Sequence, residues 1–272
     1  MPKDMRGGLP TYWTTYGNGA RKVLLIHCSL AHSGAWKGLA TILGSELEMR
    51  AFDMPGHGRS DDLPEGVDMQ ALCVAQAVDV IGADGPMDII GHSFGATVAL
   101  RLAIEHPDLV RSLVMIESVF FAAALADNPE LTLHHGALMA GYNLAVKRGD
   151  MMEAAREFLR EWGDGTPWDL LPEQQRAFLA SKIHLIEANN QTVLEDRPGV
   201  LERQLIETVT APGLLIRGED SSPFVAPIHA AIQRRMADCE SISIEGAAHM
   251  APITHPKETA AAIRSFLERV PV

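Results

Sequence analysis

The sequence is 272 residues long, which suffices for one large α/β domain or one domain with an insertion. Its net charge of −12 argues against nucleic acid and anionic membranes as partners, because both attract a basic surface. Cys28, Cys73 and Cys239 are widely spaced and odd in number, so we expect no disulfide framework and a cytoplasmic location. Neither a signal peptide nor a membrane span is predicted, since no apolar run reaches about 18 residues.

The first part of the chain is predicted to alternate strands with helices. A continuous apolar run such as Val23–Ile26 is typical of a strand that is buried on both faces. Strands are predicted at 12–16, 23–26, 49–53, 89–90 and 112–117, with Gly17-Asn18-Gly19 as a hairpin turn. Helices are predicted at 36–43, 69–81 and 96–103. This alternation predicts a mostly parallel sheet flanked by helices.

The pattern changes between Val119 and Thr208, where helical periodicity dominates. Helices are predicted there at 139–147, 151–162 and 173–189. Alternation then resumes, with strands at 213–217 and 241–244 and helices at 224–236 and 256–269. We therefore predict an α/β core of residues 1–118 and 209–272, interrupted by a helical cap of residues 119–208. Such an insertion is expected on the loop side of the sheet, where sites in these folds lie.

A candidate nucleophile lies in the segment Gly91-His92-Ser93-Phe94-Gly95, between a predicted strand and a predicted helix. This is the G-x-S-x-G pattern of a nucleophile elbow, a sharp turn that lifts the serine hydroxyl clear of the backbone. The turn also aims the amide of Phe94 at any oxyanion formed there. A serine hydroxyl needs a base to take its proton, and His249 lies late in the chain in a loop after a predicted strand, where that base is expected.

Four motifs in this order resemble the α/β-hydrolase superfamily: the loop that contains His27, the segment Asp53–Ser60, the Ser93 elbow and the late His249. The resemblance covers essentially the whole chain and implies the α/β-hydrolase fold with a helical cap. It also implies a serine hydrolase. No cofactor is predicted, because the sequence has neither a dinucleotide-binding fingerprint nor a phosphate-binding loop. With serine rather than aspartate as nucleophile, no alkyl-enzyme ester is expected, so haloalkane dehalogenase and epoxide hydrolase chemistry are disfavoured.

The acidic member of the triad has two candidates. The family's usual acid position falls on Ser221, and Asp220 lies one residue earlier. Glu117 ends the predicted strand after the elbow helix, which is where some cap-bearing relatives place their acid. An apolar strand gives no packing reason for a carboxylate at its end, so Glu117 is preferred and Asp220 is kept as the alternative. Either carboxylate would orient the imidazole of His249.

The remaining site residues follow from the resemblance. The second oxyanion donor is expected to be the amide of Ser29, with Leu30 nearby, where Cys28 replaces the family's glycine. Cap residues set the substrate in this family, and Leu30, Phe121, Trp162 and Trp168 are the candidates for substrate contact. The arginines of the cap are scattered, so no bidentate site for a dicarboxylate is predicted. A small, mainly apolar acyl or alkyl group is preferred.

No metal site is predicted, because no set of His, Cys and Asp residues has zinc spacing. The leading hypothesis is a hydrolase acting on carboxylic esters or lactones of a small molecule. Two alternatives remain: a C–C bond hydrolase of the same fold, and a ligand-binding or signalling protein that keeps the hydrolase pocket. The expected partners are a small-molecule substrate and, as one option for assembly, a second copy of the chain in a homodimer.

Overall fold

A mostly parallel β-sheet forms the centre of the molecule in this computed structural model, which describes residues 3–271. The strands are β1 (Asp4–Arg6), β2 (Leu9–Thr11), β3 (Trp13–Tyr16), β4 (Arg21–Ile26), β5 (Leu47–Phe52), β6 (Met87–His92), β7 (Val110–Ile116), β8 (Gly213–Gly218) and β9 (Cys239–Ile244). Within the described residues the main sheet has seven strands in the order β3-β5-β4-β6-β7-β8-β9. Only the edge strand β3 runs antiparallel to its neighbour, so the expected sheet is confirmed.

The prediction of a hairpin turn at Gly17-Asn18-Gly19 is wrong. Strand β3 precedes this turn and pairs with β5, whereas β4 follows the turn and lies between β5 and β6. The turn therefore connects two strands that are not neighbours in the sheet. A separate hairpin, β1 with β2, lies outside the main sheet and was not predicted.

Helices cover both faces of the sheet. They are α1 (Lys37–Leu43), α2 (Met69–Ile81), α3 (Phe94–Glu105), α4 (Phe121–Asp127), α5 (Leu131–Leu138), α6 (Ala140–Lys147), α7 (Met151–Trp162), α8 (Glu173–Lys182), α9 (His184–Val193), α10 (Val225–Gln233), α11 (Ala251–Thr254) and α12 (Pro256–Leu267). Helices α2, α3 and α10 contribute to the apolar core on one face, and α1, α11 and α12 to the core on the other. Because both faces are covered, Val23–Ile26 is fully buried, as its continuous apolar sequence predicts.

Helices α4 to α9 occupy the long connection between β7 and β8, as the change of sequence pattern predicts. Here α4 and α5 were missed, and the predicted helix at 173–189 is interrupted at Ile183 between α8 and α9. Part of this segment has a small core of its own, which includes Tyr142, Ala155 and Ile186. We call residues 119–208 the cap; their status as a separate structural unit stays a prediction.

Candidate active site

The nucleophile candidate Ser93 lies at the junction of β6 and α3, where its backbone adopts φ 56° and ψ −118°. The turn brings backbone segments so close that two positions cannot carry a side chain. A Cβ on Gly91 would lie 2.2 Å from the carbonyl oxygen of Gly95, and a Cβ on Gly95 would lie 2.2 Å from that of Ile26. The two glycines of the motif are therefore required by the close approach of the backbone.

Ser93, His249 and Glu117 form a continuous chain of hydrogen bonds. The Ser93 Oγ lies 3.0 Å from Nε2 of His249, and Nδ1 of His249 lies 3.1 Å from Oε2 of Glu117. All three side chains are buried, with Glu117 fully so. In this geometry Nδ1 carries the proton that it donates to the carboxylate, which leaves Nε2 free to accept the proton of the serine. The three residues can thus act as nucleophile, base and acid.

The second oxygen of Glu117 is also held. Oε1 accepts hydrogen bonds from the backbone N–H of Gly218 at 2.6 Å and from the hydroxyl of Ser221 at 2.7 Å. Burial alone would raise the pKa of Glu117, but the hydrogen bonds from His249, Ser221 and Gly218 outweigh it and hold this pKa below its ordinary value. The carboxylate therefore remains charged where it can stabilise an imidazolium.

Asp220, the alternative acid, lies outside this arrangement. Its side chain is exposed, and its backbone N–H donates to the carbonyl of Ala247. Because His249 Nδ1 is already engaged by Glu117, the structure disagrees with Asp220 as the acid. The residue at the family's usual acid position, Ser221, supports Glu117 instead.

The candidate oxyanion donors are the amides of Phe94 and Ser29. Phe94 is the first residue of α3, so its N–H has no partner within the helix and lies at the positive end of the helix dipole. Among residues 3–271 neither amide has a hydrogen-bond partner, and both residues border the same cavity as Ser93. Leu30, which follows Ser29, has φ 62°, a conformation that non-glycine residues rarely adopt. Two unpartnered amides that border the same cavity as the nucleophile are the kind of donor that an oxyanion hole requires.

His92 contacts both the backbone and the ring of the base His249. Its Nε2–H donates to the backbone carbonyl of His249 at 2.8 Å, and its ring packs against that of His249. Burial lowers the pKa of His92 to about 3, so it stays neutral and keeps one fixed tautomer. His27 is likewise neutral, because burial lowers its pKa to about 3, and its Nε2 accepts the N–H of Met54. Both histidines therefore have structural partners.

A cavity of about 280 Å³ opens above Ser93, between the sheet and the cap. Besides Ser93, four of the residues predicted to serve the site border it: Ser29, Phe94, Phe121 and Trp162. The indole of Trp162 also meets the imidazole of His249 edge-on, with ring centroids 4.8 Å apart. Sequence reasoning missed the other residues that line the cavity: Val119, His135, Met139, Tyr142, Asn143, Phe158, Ile186, Asn189, Asn190, Val193 and Leu194.

Two predicted substrate contacts lie elsewhere. Leu30 borders a neighbouring cavity that also touches Trp162, and Trp168 lines a separate cavity on the cap beside Arg156 and Arg160. Trp168 begins a short 3-10 helix, Trp168–Leu170, that follows the end of α7 at Trp162. The structure therefore does not support Trp168 and Leu30 as residues that line the catalytic cavity.

The cavity is neutral. Among the described residues that line it, the only ionisable side chains are the imidazole of His135 and the phenol of Tyr142. Burial lowers the pKa of His135, which favours its uncharged form. Within residues 3–271 no three His, Cys, Asp or Glu side chains are grouped so that they could hold a metal ion. In the same part of the chain no helix is long and apolar enough to cross a membrane.

Comparison with known proteins places these features in context. The sequence profile of the alpha/beta hydrolase family matches residues 23–262. A pimeloyl-[acyl-carrier protein] methyl ester esterase of Neisseria meningitidis serogroup A is 30% identical over 261 residues, which cover 93% of this chain and 78% of that protein. Lipase LipV of Mycobacterium tuberculosis is 30% identical over 264 residues, covering 93% of this chain and 95% of the lipase.

Solved structures show the same fold at low sequence identity. Est816, an N-acyl homoserine lactone degrading enzyme, has a TM-score of 0.74 at 18% identity and covers 98% of this chain and all of its own, 100%. The epoxide hydrolase VrEH1 from Vigna radiata has a TM-score of 0.73 at 18% identity, covering 98% of this chain and 97% of its own. At such identities the likeness concerns the fold alone.

Proposed function

Since this chain belongs to the alpha/beta hydrolase family and is a hydrolase, we propose that it cleaves a carboxylic ester or lactone of a small molecule through an acyl-enzyme on Ser93. One observation carries the proposal: the hydrogen-bond chain from Glu117 through His249 reaches Ser93, and Ser93 borders a cavity together with Phe94 and Ser29, whose amides have no partner among residues 3–271. Relatives named as an esterase and a lipase agree with ester hydrolysis in general.

The mechanism follows from the geometry. His249 takes the proton of Ser93 as the hydroxyl attacks the ester carbonyl, and the amides of Phe94 and Ser29 hold the oxyanion. The imidazolium formed on His249 faces the Glu117 carboxylate, which stabilises its charge. His249 then protonates the departing alcohol, and a water activated by the same imidazole releases the acid from Ser93.

The cavity supports a small, neutral, mainly apolar acyl group. Its volume of about 280 Å³ is at the lower end of common ligand sites, which span roughly 300–1,000 Å³. Phe121, Phe158 and Trp162 give it an aromatic wall. No lysine or arginine lines it in the described chain, so a carboxylate in the substrate would lie there without a cationic partner. Esters of dicarboxylic acids with a free carboxylate are therefore disfavoured.

Two alternatives differ in chemistry. A C–C bond hydrolase of the same fold would cleave vinylogous diketones faster than simple esters. Ser221 at the usual acid position is the feature that favours a binding protein that keeps the hydrolase pocket. The hydrogen bond between Glu117 and His249 supplies an acid from another position and so weakens that alternative. Lactone specificity, a cytoplasmic location and homodimer formation all stay predictions.

The test is hydrolysis of p-nitrophenyl acetate and butyrate by the wild type and by Ser93→Ala, with folding checked by circular dichroism. We expect turnover by the wild type and none above the uncatalysed rate by Ser93→Ala. A fluorophosphonate should label Ser93 in the wild type. Equal rates for both proteins, without labelling, would contradict the proposal. Labelling without ester hydrolysis, followed by rapid cleavage of a vinylogous diketone, would favour the C–C hydrolase.

A further inference from the structure

Asn189, on α9 of the cap, is a buried polar residue that lines the catalytic cavity. Its side chain is buried, with a relative exposure of 4%. The carbonyl oxygen Oδ1 has no hydrogen-bond partner among residues 3–271. Buried polar atoms in folded proteins are nearly always paired, so an unpaired one beside a cavity indicates that its partner comes from outside the chain.

The position of Asn189 relates that partner to the reaction. Its Nδ2 donates a long hydrogen bond, 3.4 Å, to the hydroxyl of Ser29. Ser29 lies on the loop after β4 and supplies the second amide of the oxyanion hole proposed above. The carboxamide therefore lies beside the place where the ester carbonyl would be held. A substrate group that reaches Asn189 has to lie close to that carbonyl, on a small acyl chain.

The chemistry of the partner follows from that of the carboxamide. A neutral cavity disfavours a charged partner, because a buried charge needs an opposite one. A hydroxyl can both donate and accept, so it satisfies the carboxamide in either orientation of its oxygen and nitrogen. The terminal torsion of asparagine is broad, so the carboxamide can turn toward a group in the cavity at little cost. A hydroxyl is thus the simplest complement.

We propose that Asn189 determines specificity for neutral esters or lactones whose acyl chain carries a hydroxyl group near the scissile carbonyl. This inference rests on the proposed function, because it assigns the substrate class of the same site. An acyl chain with a methyl group in place of the hydroxyl would cover Asn189 and leave its polar atoms without a partner. Sites built around a substrate hydroxyl reject analogues that lack it for this reason.

The experiment compares methyl 3-hydroxybutyrate with methyl 3-methylbutyrate, which differ by a hydroxyl in place of a methyl group of similar size. Hydrolysis is followed in a pH-stat for the wild type, Asn189→Leu and Asn189→Ala. Gln191→Ala is the matched control, because Gln191 is exposed on the same helix. We expect the wild type to favour the hydroxy ester in kcat/KM by at least about tenfold, both Asn189 variants to lose this preference, and Gln191→Ala to retain it.

Several outcomes would overturn the inference. If the wild type hydrolyses both esters equally, or if both Asn189 variants slow the two esters by the same factor, Asn189 only supports Ser29. A lack of preference in the wild type overturns the inference without any variant, and Asn189→Ala tests the residue if Asn189→Leu does not fold. If Ser93 is labelled by a fluorophosphonate and p-nitrophenyl butyrate is cleaved but the hydroxy ester is not, this inference fails and the proposed function stands. If Ser93 is not labelled and no ester is cleaved, the proposed function itself fails.

Discussion

The hydroxyl of Ser221 donates a hydrogen bond to Oε1 of Glu117 over 2.7 Å. With the N–H of Gly218 it occupies one carboxylate oxygen and leaves the other to His249. Ser221 occupies the position that the family resemblance assigns to the acid, on the loop after β8, whereas Glu117 directly follows the neighbouring strand β7. The loop after β8 therefore retains a part in orienting the base, although it acts through a donor instead of a carboxylate.

Glu117→Gln should lower kcat for p-nitrophenyl butyrate by roughly 10³-fold or more. A carboxamide can donate to Nδ1 of His249, which favours the tautomer with the proton on Nε2 and removes the acceptor for Ser93. Asp220→Asn is the matched control and should change kcat less than about twofold, because Asp220 is exposed. A large loss in Asp220→Asn with full activity in Glu117→Gln would assign the acid to Asp220.

Ser221→Ala should destabilise the protein at neutral pH, and the difference should shrink in acid. The folded pKa of Glu117 is depressed below its unfolded value, partly by Ser221. Stability from this shift is present above the unfolded pKa and is lost as the pH falls through the folded pKa. Urea denaturation at pH 7 and at successively lower pH would measure it. A difference in the free energy of unfolding that does not depend on pH would show that Ser221 does not act through the charge of Glu117.

Trp162→Ala should enlarge the cavity and shift the preference toward longer acyl chains. The ratio of kcat/KM for p-nitrophenyl octanoate to that for the acetate should rise by roughly tenfold or more. Each further methylene that the enlarged apolar pocket accommodates contributes about 10-fold. Trp168→Ala is the control, because Trp168 lines a separate cavity on the cap, and its ratio should stay that of the wild type. The assignment of the pocket would be wrong if Trp168→Ala shifted the ratio and Trp162→Ala did not.

Gly95→Ala should disrupt the elbow. The added Cβ would lie 2.2 Å from the carbonyl oxygen of Ile26 and 2.5 Å from that of His27, and backbone atoms cannot move aside as a flexible side chain can. We expect the free energy of unfolding to fall by roughly 3 kcal/mol or more, with loss of activity. Gly136→Ala in α5, where a Cβ meets nothing within 4 Å, should instead stabilise by about 0.5–1 kcal/mol. Urea titration of both variants tests this contrast.

Some features could be predicted from the sequence because their signals are local. The Ser93 elbow is recognised by glycines at fixed spacing. The strand at Val23–Ile26 is recognised by its continuous apolar sequence, which fits a sheet that is covered on both faces. The hairpin predicted at Gly17–Gly19 is wrong because its signal, too, is only local. Its residues favour a tight turn, but the pairing of β3 with β5 is decided by the order of strands in the whole sheet.

The rest of the candidate site depends on distant contacts. The sequence favours Glu117 as the acid but leaves Asp220 as an alternative, and the packing of β7 beside β8 is what places Glu117 against His249. Trp162 and Trp168 lie six residues apart in the sequence, yet they line different cavities, because α7 ends at Trp162 and Trp168 lies beyond it. Asn189 had no signal at all, since nothing local shows that a cap asparagine meets the loop of Ser29.

The left-handed backbone at the site limits how many further changes the chain can tolerate. Ser93, Glu117 and Leu30 have φ values of 56°, 53° and 62°, and each such conformation in a non-glycine residue costs about 1–3 kcal/mol. Their sum is comparable with a substantial part of the roughly 5–15 kcal/mol by which folded proteins are stable. Substitutions that weaken the core of the sheet should therefore be poorly tolerated. Substitutions on the exposed faces of the cap helices should be tolerated more often.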